Sequence, residues 1–309
     1  MSKKIRIGTR KSLLALWQAN YVADLLQKGG HQTELVTLDT IGDKIQNVSI
    51  SKIGSKGVFT EEIEDLLLNK EIDIAVHSAK DLQSTLAEPF EIIAFTEREE
   101  MNDVLVSEKP EVSLHPEATF EIGTSSTRRI ALLKKYFPKI KAVPTRGNLQ
   151  TRFKKMREGE SDGMILAYAG IKRMGLQGLI REKINLEIFT PAVGQGTIAI
   201  EALKALDKGL KGSIKSLTND EKTEICLKAE RSFLKTIDGG CSIPVFGLAQ
   251  MENRKLSISA GIISLNGKKE VRKNLSGSEE EAEALGSQIA NDILNSGGRQ
   301  ILDAIKLNL

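Results

Sequence analysis

Two arginines stand at the start of a helix predicted over Thr127–Phe137, at the end where a helix favours acidic side chains. Ser126 or Ser125 is the natural N-cap, since a serine oxygen can accept a hydrogen bond from a free amide of the first turn. Arg128 and Arg129 follow the cap directly. Their position lacks a local explanation unless an anion lies between them.

Two further arginines follow in the same stretch of sequence. A strand is predicted over Ile140–Pro144, and Arg146 follows it beside Gly147. Arg152 lies in the next predicted helix. The four guanidinium groups have two interpretations. They form either a solvated basic helix face or a pocket for a ligand that carries several carboxylates or phosphates.

Lys80 and Asp81 come directly after a predicted buried strand, Asp73–His77. Ligands of open α/β sheets bind at the carboxyl ends of the strands, so this pair would lie at the mouth of a cleft. An acid and a base there suit charge stabilisation or proton transfer. An ion pair that only caps the strand is the structural alternative.

Cys241 follows two glycines, which make the backbone permissive at this point. A thiol so placed could be a nucleophile, a redox group, a covalent anchor or a buried turn residue. Cys226 lies in the middle of a predicted helix among apolar neighbours, so we expect an inert core residue.

Composition excludes several classes of protein. The 309 residues are 40% hydrophobic and 28% charged with a net charge of +3, which is typical of a globular protein and too weakly basic for a nucleic-acid binder. No apolar run has membrane length and residues 1–7 lack the core of a signal peptide, so a cytoplasmic location is expected. The three histidines are scattered, and we predict no metal site.

The first two hundred residues contain the same plan twice. Ile7–Arg10 before a helix matches Ile122–Thr124 before a helix. Helix Thr60–Asn69 and the strand after it match helix Leu149–Glu158 and strand Asp162–Ala167. Two such units predict two αβ domains that face each other across a cleft.

The last third differs, since its predicted strands are antiparallel and are followed by helices. The predicted domains are residues 1–98 with 197–217, residues 99–196, and residues 218–309. The predicted fold class is therefore α/β, with a small C-terminal α+β domain added to the two αβ domains.

Seven segments occur together in an order that closely resembles the hydroxymethylbilane synthase family, also called porphobilinogen deaminase. They are Ile7–Trp17 (IGTRKSLLALW), Gly54–Phe59 (GSKGVF), Asp73–Asp81 (DIAVHSAKD), Gly123–Arg129 (GTSSTRR), Arg146–Asn148 (RGN), Pro191–Gly196 (PAVGQG) and Gly239–Cys241 (GGC).

The resemblance implies an enzyme that joins four porphobilinogen molecules head to tail into the linear tetrapyrrole hydroxymethylbilane and releases ammonia. It implies a dipyrromethane primer held by a thioether to Cys241, Asp81 as the catalytic residue, a monomer, and two domains like those of type II periplasmic binding proteins. Further residues that it implies for the cofactor are Lys80, Ser126, Arg128, Arg129, Arg146 and Gly147. Those that it implies for the substrate are Arg10, Ser12, Lys56, Arg152, Arg173 and Gln195.

Two other functions fit parts of the sequence. Two αβ lobes with an anion cleft would also suit a non-enzymatic receptor of the periplasmic type, although Cys241 and the Lys80-Asp81 pair argue against it. A cysteine-dependent hydrolase is weaker still, because no histidine lies in a motif that would pair with Cys241.

Overall fold

The computed structural model describes residues 4–38, 61–240 and 242–307. The loop expected over Ile41–Gly57 lies outside these ranges. The strands, in chain order, are β1 (Ile5–Arg10), β2 (Thr33–Leu38), β3 (Ile74–Ser78), β4 (Phe90–Phe95), β5 (Asp103–Val106), β6 (Glu121–Gly123), β7 (Lys141–Val143), β8 (Gly163–Ala167), β9 (Ile180–Lys183), β10 (Ile198–Leu203), β11 (Val245–Glu252), β12 (Lys255–Ile263) and β13 (Glu270–Ser278).

The helices connect and cover these strands. In chain order they are α1 (Leu13–Lys28), α2 (Glu61–Leu68), α3 (Thr127–Tyr136), α4 (Leu149–Arg157), α5 (Tyr168–Arg173), α6 (Lys208–Thr218), α7 (Glu221–Thr236), α8 (Ala282–Ile293) and α9 (Arg299–Lys306).

The first sheet has the strand order β2-β1-β3-β10-β4. β1 runs parallel to β2 and β3, whereas β10 runs antiparallel to both of its neighbours. With α1, α2 and α6 this sheet forms the first lobe. Val22 and Leu26, one turn apart on α1, pack in one core with Ile5, Ile7 and Ile200, all at most 1% exposed. Burial of each such side chain stabilises the lobe by about 1.5–3 kcal/mol.

The second sheet repeats this order as β7-β6-β8-β5-β9 and, with α3, α4 and α5, forms the second lobe. The repeat extends to the register, since Gly8 lies opposite Ala75 in the first sheet and Gly123 opposite Met164 in the second. The single antiparallel strand of each sheet, β10 or β5, follows a segment that crosses between the lobes. The predicted repeat and the predicted two-lobed α/β fold are therefore confirmed.

The third lobe is an antiparallel sheet, β11-β12-β13, covered by α7, α8 and α9. The expected turn at Asn266-Gly267 joins β12 to β13, with Gly267 at a φ of +75°. Each sheet lies within one of the predicted domain ranges, and we retain that division as a prediction.

The structure differs from what the sequence predicts at three places. The sequence predicts a strand and a helix within Thr197–Leu206, but only β10 lies there and the helix, α6, begins at Lys208. The sequence also predicts that Thr218 or Asn219 caps the next helix, whereas the cap is Asp220, whose side chain accepts from the amide of Thr223 at 2.7 Å. β5 and β9 were not predicted, because a short apolar run such as DVLV and a charged stretch such as IREK show no alternation that marks a strand.

The parallel strands β1, β3, β6 and β8 all point their carboxyl ends to the region where the two crossing segments, residues 96–102 and 190–197, join the lobes. Across the ranges that the structure describes, no helix is both long and apolar enough to cross a membrane.

Candidate active site

Asp103, the first residue of β5, is a fully buried carboxylate that holds two of the predicted site arginines. Its Oδ2 accepts from Nη2 of Arg128 at 2.7 Å, and its Oδ1 accepts from Nη2 and Nε of Arg129 at 2.7 and 3.2 Å. Arg128 and Arg129 are only 4% and 7% exposed. A solvated basic helix face is therefore the wrong interpretation for these two residues.

Backbone carbonyls hold the same two guanidinium groups from a second direction. Nη1 of Arg128 donates to the carbonyl of Thr190 at 2.9 Å, and Nη1 of Arg129 donates to the carbonyl of Ile165 at 2.9 Å. Contacts in two directions fix the planar groups in position, because a guanidinium fork has a rigid donor geometry.

The charges of this cluster do not cancel. Burial would raise the pKa of the Asp103 carboxyl, but the attraction of the two guanidinium groups outweighs it and holds this pKa well below its ordinary value. Burial also lowers the pKa of Arg128, against the attraction of Asp103. One carboxylate faces two guanidinium groups, so the cluster keeps a positive charge.

Gln195 joins this cluster to Lys80 on the first lobe. Its Nε2 donates to Oδ1 of Asp103 at 3.0 Å and to the carbonyl of Met101 at 2.7 Å. Its Oε1 accepts from Nζ of Lys80 at 3.4 Å. Burial, with repulsion from Arg129, lowers the pKa of Lys80 from 10.5 to about 8.

Asp81 is exposed and ends the short 3₁₀ turn that follows β3. Its negative charge raises the pKa of Lys80 and also that of Arg152 on the other lobe. Burial, followed by repulsion from Arg129 and Arg146, nevertheless lowers the pKa of Arg152 to about 10. Lys80 is therefore within electrostatic reach of Asp81 and Arg129, and Arg152 is within reach of Asp81, Arg129 and Arg146.

Gly147 positions Arg152 through its backbone. Its carbonyl accepts from Nε of Arg152 at 2.8 Å. Its φ is +111°, and a Cβ at this position would come within 2.6 Å of the Thr151 side chain. A side chain is therefore excluded here both by conformation and by space.

Ser12 and Ser126 occupy the same place in the two halves of the repeat, because Ser12 caps the helix after β1 and Ser126 caps the helix after β6, the equivalent strand of the second sheet. Their Oγ atoms accept from the amides of Ala15 and Arg129, both at 3.4 Å. An accepting cap leaves the hydroxyl hydrogen available, so a carboxylate could still bind to either serine.

Arg10 and Arg173 lie at the ends of their elements. Arg10 is the half-buried last residue of β1. Arg173 ends α5, and its Nη2 donates to the carbonyl of Gly196 on the second crossing segment at 2.7 Å. Its guanidinium carbon lies 5.5 Å from the ring centroid of Trp17, on the first lobe.

The roles predicted for Lys56 and Cys241 fall on positions outside the described residues. Cys226 is 4% exposed, and burial raises the pKa of its thiol to about 11. The prediction of an inert core cysteine is confirmed. Within the described ranges, no group of three or more His, Cys, Asp and Glu side chains is arranged to hold a metal ion.

The buried acids Asp103 and Glu230 were missed by sequence reasoning. Besides Asp103, Glu230 is fully buried and accepts from Nη1 of Arg98 at 2.5 Å and from the amides of Gly194 and Ala249, both at 2.8 Å. Both acids could have been identified from the sequence, because Asp103 begins an apolar strand and Glu230 lies on the apolar face of α7. An acid in either place requires a buried partner.

The donor set fits a ligand with several carboxylates. Lys80 and Arg152 lose part of their basicity to burial and to neighbouring arginines, and a ligand carboxylate would relieve both effects. Guanidinium forks bind carboxylates through two hydrogen bonds, which gives geometric selectivity. The same residues fit the acidic side arms of a dipyrromethane.

Fold and site together define an α/β protein with two repeated lobes whose cationic side chains converge where the lobes are joined. Residues 5–211 match the family model "Porphobilinogen deaminase, dipyromethane cofactor binding domain", and residues 224–295 match "Porphobilinogen deaminase, C-terminal domain". The chain belongs to the porphobilinogen deaminase family.

Individual relatives agree over their full length. The porphobilinogen deaminase of Cytophaga hutchinsonii is 53% identical over 100% of this chain and 99% of its own. That of Desulfosudis oleivorans is 48% identical over 98% of each chain. Among solved structures, the VFT2 domain of BvgS from Bordetella pertussis is 15% identical, covers 71% of this chain and 89% of its own, and has a TM-score of 0.45.

Proposed function

We propose that this chain joins four porphobilinogen molecules head to tail into hydroxymethylbilane, with release of ammonia, on a dipyrromethane primer attached to Cys241. Membership of the porphobilinogen deaminase family supports the reaction. The single structural observation that carries it is the convergence of Lys80, Asp81, Arg129 and Arg152 at the junction of the lobes.

The buried state of Cys226 supports Cys241 as the attachment site. The chain has two cysteines, and Cys226 is buried in the core with its pKa raised to about 11. A thiol in that state is neither accessible nor ionised near neutral pH, so it is unsuited to forming a thioether. Cys241 is the remaining candidate, and the Gly-Gly pair before it supports this choice.

The cationic residues bind and orient carboxylates. A growing pyrrole chain adds carboxylates with every ring, so donors are needed on both walls of the cleft. Lys80 supplies a charge from the first lobe, and Arg146 and Arg152 supply charges from the second. Arg128 and Arg129 are held rigidly by Asp103, so they would present a fixed positive field rather than adapt to each ring.

Asp81 stabilises positive charge and assists proton transfer at the reacting ring. A dipyrromethane bound here supplies an electron-rich pyrrole carbon as the point of chain growth. The Asp81 carboxylate would lie beside a pyrrole N–H and would stabilise positive charge on that nitrogen. The Asp81 carboxylate is exposed and close to Lys80 and Arg152, where a substrate can reach it.

Two measurements on the purified holoprotein test the proposal. Intact mass spectrometry is expected to give a mass above the sequence mass by one dipyrromethane, and peptide mapping is expected to locate the adduct on Cys241. Incubation with porphobilinogen is expected to release ammonia and form a linear bilane. A Cys241→Ser variant provides the control and is expected to carry no adduct.

An unmodified wild-type protein that binds porphobilinogen without turning it over would contradict the enzyme and favour a receptor. A Cys241→Ser variant that is fully loaded and active would instead contradict the attachment site alone.

A further inference from the structure

Trp17 is a large aromatic side chain that stays 37% exposed on α1 and is the only tryptophan of the chain. Its ring is parallel to that of Tyr21, one turn further on, with 5° between the planes and 5.6 Å between the centroids. The stack orders the indole on the helix surface, because each ring limits the rotation of the other.

The partner of this indole belongs to the other lobe. The guanidinium of Arg173, at the end of α5, lies 5.5 Å from the centroid of the Trp17 ring, within the range of a cation–π interaction. α1 and α5 also approach each other at Gly170, where a Cβ would lie 3.7 Å from the Leu14 side chain. Trp17 and Arg173 therefore form a direct contact between the two lobes.

Arg173 is only partly used by its protein neighbours. Nη2 donates to the Gly196 carbonyl at 2.7 Å, and the described residues supply no hydrogen-bond partner to Nε or Nη1. The carboxylate of Glu99 is close enough to act on Arg173, but it is bound by Lys172 at 2.7 Å. Among the described residues, Nε and Nη1 of this partly buried guanidinium therefore have no acceptor, and both can donate to a ligand.

We propose that Trp17 is a positioning residue, whose ring holds Arg173 across the junction of the lobes with two donors free for a substrate carboxylate. The proposal rests on the proposed function, which takes Arg173 as a substrate-binding residue. A face-on indole restrains a guanidinium without occupying its hydrogen-bond donors, which are in the plane of the group. An acidic side chain in place of Trp17 would compete with the substrate for those donors.

The contact itself is tested in the holoenzyme without substrate. Trp17 is the only tryptophan, so quenching of the intrinsic fluorescence by acrylamide reports on this ring alone. We expect the quenching constant to rise roughly twofold in Arg173→Ala, because the face of the indole under the guanidinium becomes open to solvent. An unchanged quenching constant would overturn the contact.

The positioning role is tested by steady-state kinetics of bilane formation. Trp17→Leu is expected to raise the KM for porphobilinogen about five- to tenfold and to change kcat less than about twofold. This pattern is expected because the lost interaction stabilises the bound substrate and the transition state equally. Trp17→Phe retains an aromatic face and is expected to restore most of the affinity. Asn20→Ala, an exposed position on the same helix, is the matched control and is expected to behave as wild type.

A Trp17→Leu enzyme with wild-type KM, or one whose defect Trp17→Phe shares in full, would overturn the role of the indole. The two levels of inference fail separately. A wild-type protein that forms no bilane refutes the proposed function, while the fluorescence comparison still decides whether Arg173 covers Trp17.

Discussion

Gln195 donates from Nε2 to Oδ1 of Asp103 at 3.0 Å, and this bond joins the second crossing segment to the first strand of the second sheet. The same amide accepts from Lys80 on the first lobe. A buried chain of polar contacts therefore runs from the first lobe, through a crossing segment, to the two arginines of α3.

Asp103→Asn is expected to lower the free energy of unfolding by about 3–5 kcal/mol, because it leaves two buried guanidinium groups without a counter-charge. Urea unfolding monitored by circular dichroism measures this change. Glu108→Gln is the matched control, since it breaks an ion pair with Arg157 in which both side chains are about half exposed. The control is expected to lose less than about 1 kcal/mol. Equal losses in both variants would contradict the role of Asp103.

Asp81→Asn is expected to retain the wild-type melting temperature and to reduce the rate of bilane formation by about 10²–10⁴-fold. The side chain is exposed, so its charge contributes little to folding. General acid–base and charge-stabilising groups commonly contribute rate factors of about this size. Rapid-quench measurement of product together with thermal unfolding tests both parts. A near-normal rate would refute the role assigned to Asp81.

Lys80 makes stability depend on pH in a defined direction. Its pKa is about 8 in the folded protein and near 10.4 in an unfolded chain, so between these values the unfolded state binds more protons. The free energy of unfolding therefore rises with pH in this window, and burial of the charged amine is most unfavourable below pH 8.

The measurement compares Cys241→Ser with Cys241→Ser, Lys80→Met by urea unfolding, so that bound primer does not alter the pKa. From about pH 8 to pH 10 the lysine protein is expected to gain about 1–2 kcal/mol relative to the methionine protein, after allowance for partial exposure of Lys80. A difference that stays constant with pH would show that Lys80 is not buried as the structure has it.

Gln195→Met keeps the length of the side chain but removes its donor and its acceptor. The carbonyl of Met101 and the amine of Lys80 then lose a buried partner, and each such loss destabilises by about 1–3 kcal/mol. We expect a lower melting temperature, and a double-mutant cycle with Lys80→Met should give a coupling free energy above about 0.5 kcal/mol. Additive effects of the two substitutions would mean that the Lys80 contact contributes nothing.

Much of the fold could be predicted because its signals are local. The pattern of a strand, a glycine and a capped helix occurs twice in the sequence. The structure places Gly8 and Gly123 in equivalent registers. Ser126 was identified as a cap from residue type alone, since a serine oxygen before a helix has few other uses. The strands β5 and β9 were not predicted, because neither the apolar run DVLV nor the charged stretch IREK shows the alternation that marks a strand.

The structure brings several of the predicted charged residues close together, but it pairs them in a way that the sequence did not predict. Arg128 and Arg129 stood out because they oppose the helix dipole, which requires an anion nearby. That the anion is Asp103, 25 and 26 residues earlier in the chain, depends on β5 entering the second sheet between β8 and β9. The sequence alone led to solvent or a ligand as the partner of these arginines, and not to a carboxylate of the protein itself.

The amino-acid sequence by itself determined the family, the two matching halves and the residue types able to bind carboxylates, because these depend on composition and on order along the chain. Only the tertiary structure decided which charges neutralise each other inside the protein and which remain for a ligand. The physical reason is that the free energy of a charge depends on its burial and on neighbours a few ångströms away, and such neighbours are brought together from distant positions only when the chain folds.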